Sequence, residues 1–179
     1  MSCILNIETS TSVCSVALSM DGEVLFAKAS FDGPSHAALL GVFVEEALSV
    51  LKKKGKKALD AVAVSSGPGS YTGLRIGVSV AKGLCFGFGI PLIGIHTLDI
   101  MAATVNSKGD SQIVSITDDC LYCAMLDARR MEVYAAIYDA SLKPVRETKA
   151  DIVEAGTYAS YLISTNDAVV NVPTYHNPQ

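Results

Sequence analysis

The stretch that most constrains this chain is Ser65-Ser66-Gly67-Pro68-Gly69-Ser70-Tyr71-Thr72-Gly73-Leu74-Arg75-Ile76-Gly77. The apolar run Ala61-Val62-Ala63-Val64 leads into it and predicts a short buried strand. A long apolar, glycine-spaced run from Leu74 to Phe88 comes next and predicts a helix. The glycines therefore fall at a strand-to-helix junction, where unpaired backbone N–H groups can hold an anion. The P-loop pattern needs Lys followed by Ser or Thr after its last Gly, and Leu74-Arg75 stands there instead. The dinucleotide pattern misses by one residue, because Thr72 precedes Gly73, and no acidic residue stands about twenty positions on. Two readings stay open. Gly67, Gly69 and Ser70, with the turn Glu8-Thr9-Ser10, form a vestigial nucleotide or phosphate loop; or Pro68 fixes a tight turn and Ser70 caps the helix.

In that helix Gly73, Gly77 and Ala81 recur every fourth residue, as do Gly83 and Gly87. Ile76, Val78, Val80, Leu84 and Phe86 cover most of the remaining circumference. Glycine costs about 1 kcal/mol against Ala inside a helix, so this spacing points to close packing of another helix backbone. A helix apolar all round is expected to be buried, one face on the chain's own sheet and the other on a partner.

Half of the 179 residues are hydrophobic and 18% are charged, an ordinary globular composition. The net charge of −4 argues against binding nucleic acid mainly through the chain's own field. The run from Ile76 to Ile95 is nearly uncharged, but Lys82, Pro91 and its glycines break it as a membrane span. The N-terminus has no basic segment before its apolar residues, so a cytoplasmic protein is expected. Five Cys without framework spacing fit a reducing compartment, and the lone Cys120-Leu121-Tyr122-Cys123 has no second pair with which to bind zinc.

Taken in order, the chain predicts strands at Cys3–Ile7, Val13–Met20 and Glu23–Ser30, the last two joined by an Asp21-Gly22 hairpin turn. A helix over Ser35–Lys54 carries the stripe Leu39, Leu40, Phe43, Val44, Ala47, Leu48 and Leu51. Its basic end, Lys52 to Lys57, reads as a solvated helix terminus. The Ala61–Ser65 strand, the glycine loop and its helix, a strand at Pro91–Ile95 and a helix at Thr97–Val105 complete a first lobe over residues 1–106. A polar break, Asn106 to Asp110, precedes a second lobe over residues 111–179. There Leu121–Leu126, Val133–Tyr138 and Lys143–Thr148 repeat the three-strand start, and a helix is expected from about Asp151 to Ile163. Glu8 and Asp127 take matching places at the ends of the first strands. The tail from Ser164 to Gln179 lacks a further strand, glycine loop and helix, so the second lobe reads as truncated. A duplicated βββαβα lobe with a mixed sheet and an acidic residue after each first strand resembles the actin-like ATPase (ASKHA, RNase H-like) α/β fold.

The stretches Ile4–Thr11, Gly67–Gly77, Pro91–Leu98 and Asp127–Tyr134 resemble the TsaB (YeaZ) family as far as about Ala155. The resemblance implies the non-catalytic partner of a TsaD-like transferase that makes N6-threonylcarbamoyl-adenosine in tRNA. It implies a heterodimer through the two long helices, with Leu39, Phe43, Leu74, Arg75, Val78 and Lys82 at the interface, and a homodimer when the chain is alone. A TsaE-like ATPase is the further partner, and tRNA is met only within the complex. No cofactor is expected to bind strongly to the chain alone, with ATP or ADP at the partner interface. The TsaD-like relatives carry an H-x-x-x-H metal pair; here Leu40 stands four residues after His36, so no metal site and no catalytic residue are expected. Two alternatives remain: a small-molecule kinase or ATPase of the same fold, favoured by the glycine loop, and a glycoprotease-like metallopeptidase.

Overall fold

A computed structural model describes residues 2–31, 35–55, 59–108 and 120–161, with backbone alone at 106–108. Asp32-Gly33-Pro34, Lys56-Lys57, Gly109-Asp110, His176 and the Ser164–Gln179 tail lie outside the described residues. The described elements are β1 (Cys3–Glu8), β2 (Cys14–Met20), β3 (Glu23–Ser30), α1 (His36–Lys53), β4 (Ala61–Ser65), α2 (Tyr71–Phe88), β5 (Leu92–Ile95), α3 (Thr97–Lys108), β6 (Tyr122–Arg129), β7 (Glu132–Tyr138) and β8 (Pro144–Ile152). They pack as two units, Met1–Thr97 and Leu98–Gln179.

The first unit holds a five-stranded sheet in the order β3-β2-β1-β4-β5. β1 pairs antiparallel with β2 and parallel with β4, and β4 pairs parallel with β5. This mixed order is that of the actin-like, RNase H-like lobe. Alternation decides the faces. Cys3, Leu5 and Ile7 of β1, Cys14, Val16 and Leu18 of β2, and Val62 and Val64 of β4 turn into one core with Leu40, Phe43, Val44, Ala47 and Leu51 of α1 and Ala81 of α2. β5 is the far edge of the sheet, and Leu92, Ile93 and Ile95 remain partly open to solvent along it.

The second unit is a β6-β7-β8 antiparallel sheet. Ala124, Ala136 and Tyr138 on one face are buried against Leu98 and Ala102 of α3, and the Tyr138 hydroxyl donates to Asp99 Oδ1 at 2.6 Å. Burial first, and then that carboxylate, push the Tyr138 phenol well above its usual range. On the opposite face a bulge between Ala135 and Ile137 sets two β8 residues against one of β7. The extra residue brings Arg146 and Asp151 onto the same face, where Arg146 Nη2 meets Asp151 Oδ1 at 2.6 Å and its Nη1 donates to the Ala135 carbonyl. The Tyr158 hydroxyl donates to the other Asp151 oxygen at 2.9 Å.

The helix expected from Asp151 to Ile163 is not there among the described residues. β8 continues to Ile152, paired with Glu132, and only a single 3-10 turn comes after it, at Ala159–Tyr161. Cross-strand pairing claims Asp151 and Ile152, and Gly156 at φ 89 prevents a helix from starting beyond them.

Two hairpins turn through two-residue loops with positive φ at both central positions. Asp21-Gly22 joins β2 to β3 at φ 51 and 88, and Arg130-Met131 joins β6 to β7 at φ 55 and 68. The first pair suits that conformation and the second does not, at a cost of about 1–2 kcal/mol per residue. Met131→Gly is therefore expected to raise unfolding stability by about 1 kcal/mol in a urea titration; an unchanged or lower midpoint would show that the turn is unstrained.

The ion pair makes stability depend on pH. Burial alone would raise the Asp151 carboxyl, but Arg146 and Tyr158 together hold it below its usual value. Its contribution is thus present above about pH 4 and lost as pH falls through the depressed folded value. Tyr158 is pushed up to about 12, first by burial and then by Asp151, so its contribution holds to about pH 10 and is lost as pH rises through the folded value. Arg146→Met is expected to cost about 1–3 kcal/mol at neutral pH, and its deficit to shrink in acid as Asp151 protonates. A deficit constant with pH would show that packing, not charge, holds this face.

Candidate functional site

β1 ends at Glu8, and the next two residues form a buried turn. Glu8 Oε1 accepts the Ser10 N–H at 2.6 Å, which fixes the turn from within. The glycine loop then closes over it. Ser70 N donates to the Ser10 carbonyl at 2.6 Å, Ser70 Oγ accepts from Gly73 N at 3.3 Å as the α2 N-cap, and Leu74 N bonds the Ser70 carbonyl. The other side of the loop is anchored to β5 and α3: Ser66 N reaches the Ile95 carbonyl at 2.8 Å and Thr97 N the Gly67 carbonyl at 2.9 Å.

The glycine spacing has a direct cause. A Cβ on Gly69 would collide with the Ser10 carbonyl, one on Gly73 with the Thr9 carbonyl, and one on Gly77 with the Thr9 hydroxyl. The stripe admits the chain's own β1 turn, not the backbone of a second helix. A Cβ on Gly83 or Gly87 would meet nothing within 4 Å. The expectation that α2 is buried all round is corrected as well: only Gly73, Gly77 and Ala81 are fully buried, and Phe86 is 92% exposed.

Three N–H groups at this junction, those of Ser10, Ser70 and Gly73, are used within the chain. The Thr9 and Ser10 hydroxyls, which have spare hydrogen-bonding capacity, are buried beneath α2. Asp127 behaves as Glu8 does, its Oδ1 accepting the N–H two residues on, from Arg129, at 2.8 Å. His36 is buried at the start of α1 with Nε2 3.3 Å from the Val13 carbonyl, so it ties the helix to the β1–β2 connection. No disulfide joins the five cysteines, and burial pushes up the Cys123 thiol on the Arg146 face. Among the described residues no three His, Cys, Asp or Glu converge as metal ligands, and no helix is long and apolar enough to cross a membrane.

The outer surface of α1 and α2 is the other candidate. Arg75 and Lys82 are exposed there, with the Arg75 guanidinium over the Tyr71 ring at 5.3 Å. Leu39 and Val78 are half-buried against the core, and Leu74 is half-buried near Gly67. Phe43 is only 4% exposed and belongs to the core, with Lys28 above its ring and paired to Glu46. Its neighbour Val42, 47% exposed, occupies the outward position instead. Sequence periodicity misses Val42 because it lies outside the apolar stripe, and it misplaces Phe43 because a wide stripe does not reveal its own centre.

Residues 32–159 match the family model described as TsaD: tRNA N6-adenosine threonylcarbamoyltransferase. The tRNA threonylcarbamoyladenosine biosynthesis protein TsaB of Escherichia coli is 38% identical, over 75% of this chain and 54% of its own length. The TsaB protein of Haemophilus influenzae is 34% identical, over 73% of this chain and 51% of its own. The structure titled YeaZ from Pseudomonas aeruginosa superposes with a TM-score of 0.68 at 30% identity, covering 84% of this chain and 67% of that one. The chain belongs to the TsaB (YeaZ) family. It spans about half the length of the curated TsaB relatives it matches. The family's glycine motif thus has a physical reading here, as the seat of the β1 turn.

That reading predicts opposite outcomes along one helix. Gly73→Ala or Gly77→Ala should lower stability by about 2 kcal/mol or more, because the colliding Thr9 atoms belong to the core. Gly83→Ala should raise it by up to about 1 kcal/mol. Equal effects at the three positions in chemical denaturation would refute the packing account.

Proposed function

We propose that this chain is a non-catalytic accessory subunit that binds a TsaD-like threonylcarbamoyl transferase in making N6-threonylcarbamoyl-adenosine in tRNA. The observation that carries the reading is the outer face of α1 and α2. It leaves Val42, Arg75, Lys82 and Phe86 exposed on two adjacent helices whose inner faces are committed to the core. Exposed apolar side chains such as Val42 and Phe86, set beside two cations, suit cover by a partner, and by a second copy when that partner is absent. The acidic residues at the strand ends support a scaffold rather than a catalyst, since Glu8 and Asp127 are used as turn acceptors. ATP or ADP is then expected only where the partner adds its own groups, and a TsaE-like ATPase and tRNA only in the larger assembly. The setting is the bacterial cytoplasm, where tRNA is modified.

Light scattering of the chain alone, and mixed with the TsaD-like paralogue from the same organism, tests this. A homodimer that converts to a 1:1 heterodimer is expected. Val42→Glu should weaken the heterodimer at least tenfold, equivalent to about 1.4 kcal/mol, without lowering the melting temperature. A chain that ignores the paralogue, or magnesium-dependent ATP hydrolysis by the chain alone, would favour the kinase reading instead.

A further inference from the structure

The two hairpins share positive φ at both central positions, yet the residues that hold them differ in a way that folding alone does not explain. Asp21-Gly22 is a sequence suited to positive φ, whereas Arg129, Arg130 and Met131 hold φ of 69, 55 and 68 in succession. Asn-Gly or Asp-Gly would make the same turn without strain. Strain of this kind is kept where the side chains themselves are needed. These side chains do not serve the chain's own packing. Met131 is 87% exposed, Arg129 and Arg130 are exposed, and neither guanidinium has an acidic partner among the described residues. At the tip the Arg129 N–H donates to Asp127 Oδ1 and Arg129 pairs with Glu132, contacts that fix the backbone without using either guanidinium.

We propose that the β6–β7 tip, Arg129-Arg130-Met131, is a docking knob for a protein partner that presents an acidic rim around a small apolar pocket. Charge complementarity sets the rim, since two adjacent unpaired guanidinium groups call for carboxylates. Met131 sets the pocket. An unbranched thioether fills an apolar recess well, and Met and Arg are both enriched at protein interfaces. The tip carries no aromatic ring on which a base could stack, and the chain's net charge of −4 opposes a phosphate backbone at longer range. The tip belongs to the second unit and the α1–α2 face to the first.

The choice of probes rests on the accessory-subunit reading. Binding of the full chain to the TsaD-like paralogue, to that pair plus the TsaE-like ATPase, and to tRNA is measured by calorimetry for three forms. These are the unaltered chain, Arg129→Glu with Arg130→Glu, and Arg130→Asn with Met131→Gly. The last installs a favoured turn and should melt no lower than the unaltered chain, so misfolding cannot imitate its effect. Both variants are expected to lose at least tenfold affinity for one of the two proteins. Affinities for both proteins equal to those of the unaltered chain would overturn the proposal, as would a loss confined to tRNA. If Val42→Glu abolishes transferase binding while both tip variants bind normally, only the tip proposal falls; if the unaltered chain binds neither protein, both readings fall.

Discussion

The first unit depends on how closely α2 lies on the turn after β1. Helix backbones ordinarily stand off a neighbouring strand by the depth of their side chains. Here Gly73 and Gly77 remove that layer, so Thr9 sits directly against the helix. The same approach lets Ser70 serve two purposes, bonding the Ser10 carbonyl through its N–H and capping α2 through its hydroxyl. The glycines sacrifice helix propensity to bring this about, and the buried core behind Ala81 offsets the loss.

One contact therefore accounts for two functional features. The loop resembles a phosphate-binding junction in sequence because both need glycine between a strand and a helix. In this chain the Ser10 N–H bonds the Glu8 carboxylate and the Ser70 N–H the Ser10 carbonyl. The opposite side of α2, relieved of any role in the core, is left to carry Arg75, Lys82 and Phe86 at the surface.

Much of this was legible in the sequence where local chemistry and tertiary packing agree. The Asp21-Gly22 turn, the β1, β2 and β4 strands and the Ser70 cap are dictated by residue types alone. The misreadings arise where a distant partner decides. The residues around Asp151 can begin a helix as well as end a strand, and pairing with Glu132 and Val133 selects the strand. Glycines spaced by four predict a close approach without naming what approaches, and the answer lay some sixty residues earlier, at Thr9. The turn over Ala128–Met131 is legible as a polar break between two strands, but its two-residue hairpin geometry is not, because Arg130 and Met131 suit positive φ poorly.

The placement of β1 in the middle of its sheet also bears on how the chain acquires its structure during synthesis. The β2–β3 hairpin and the β1–β2 pair are local and can form as soon as they leave the ribosome. The other edge of β1 must wait for β4, whose lead-in residue Asp60 bonds the Cys3 N–H across 57 positions. The Thr9–Ser10 turn waits longer still, for α2. For that interval α1, which precedes β4 in the chain, can already cover β2, while the β4 edge of β1 and the turn after it stay open. The central strand of this lobe is thus completed by contacts of long sequence separation, which close more slowly than hairpins.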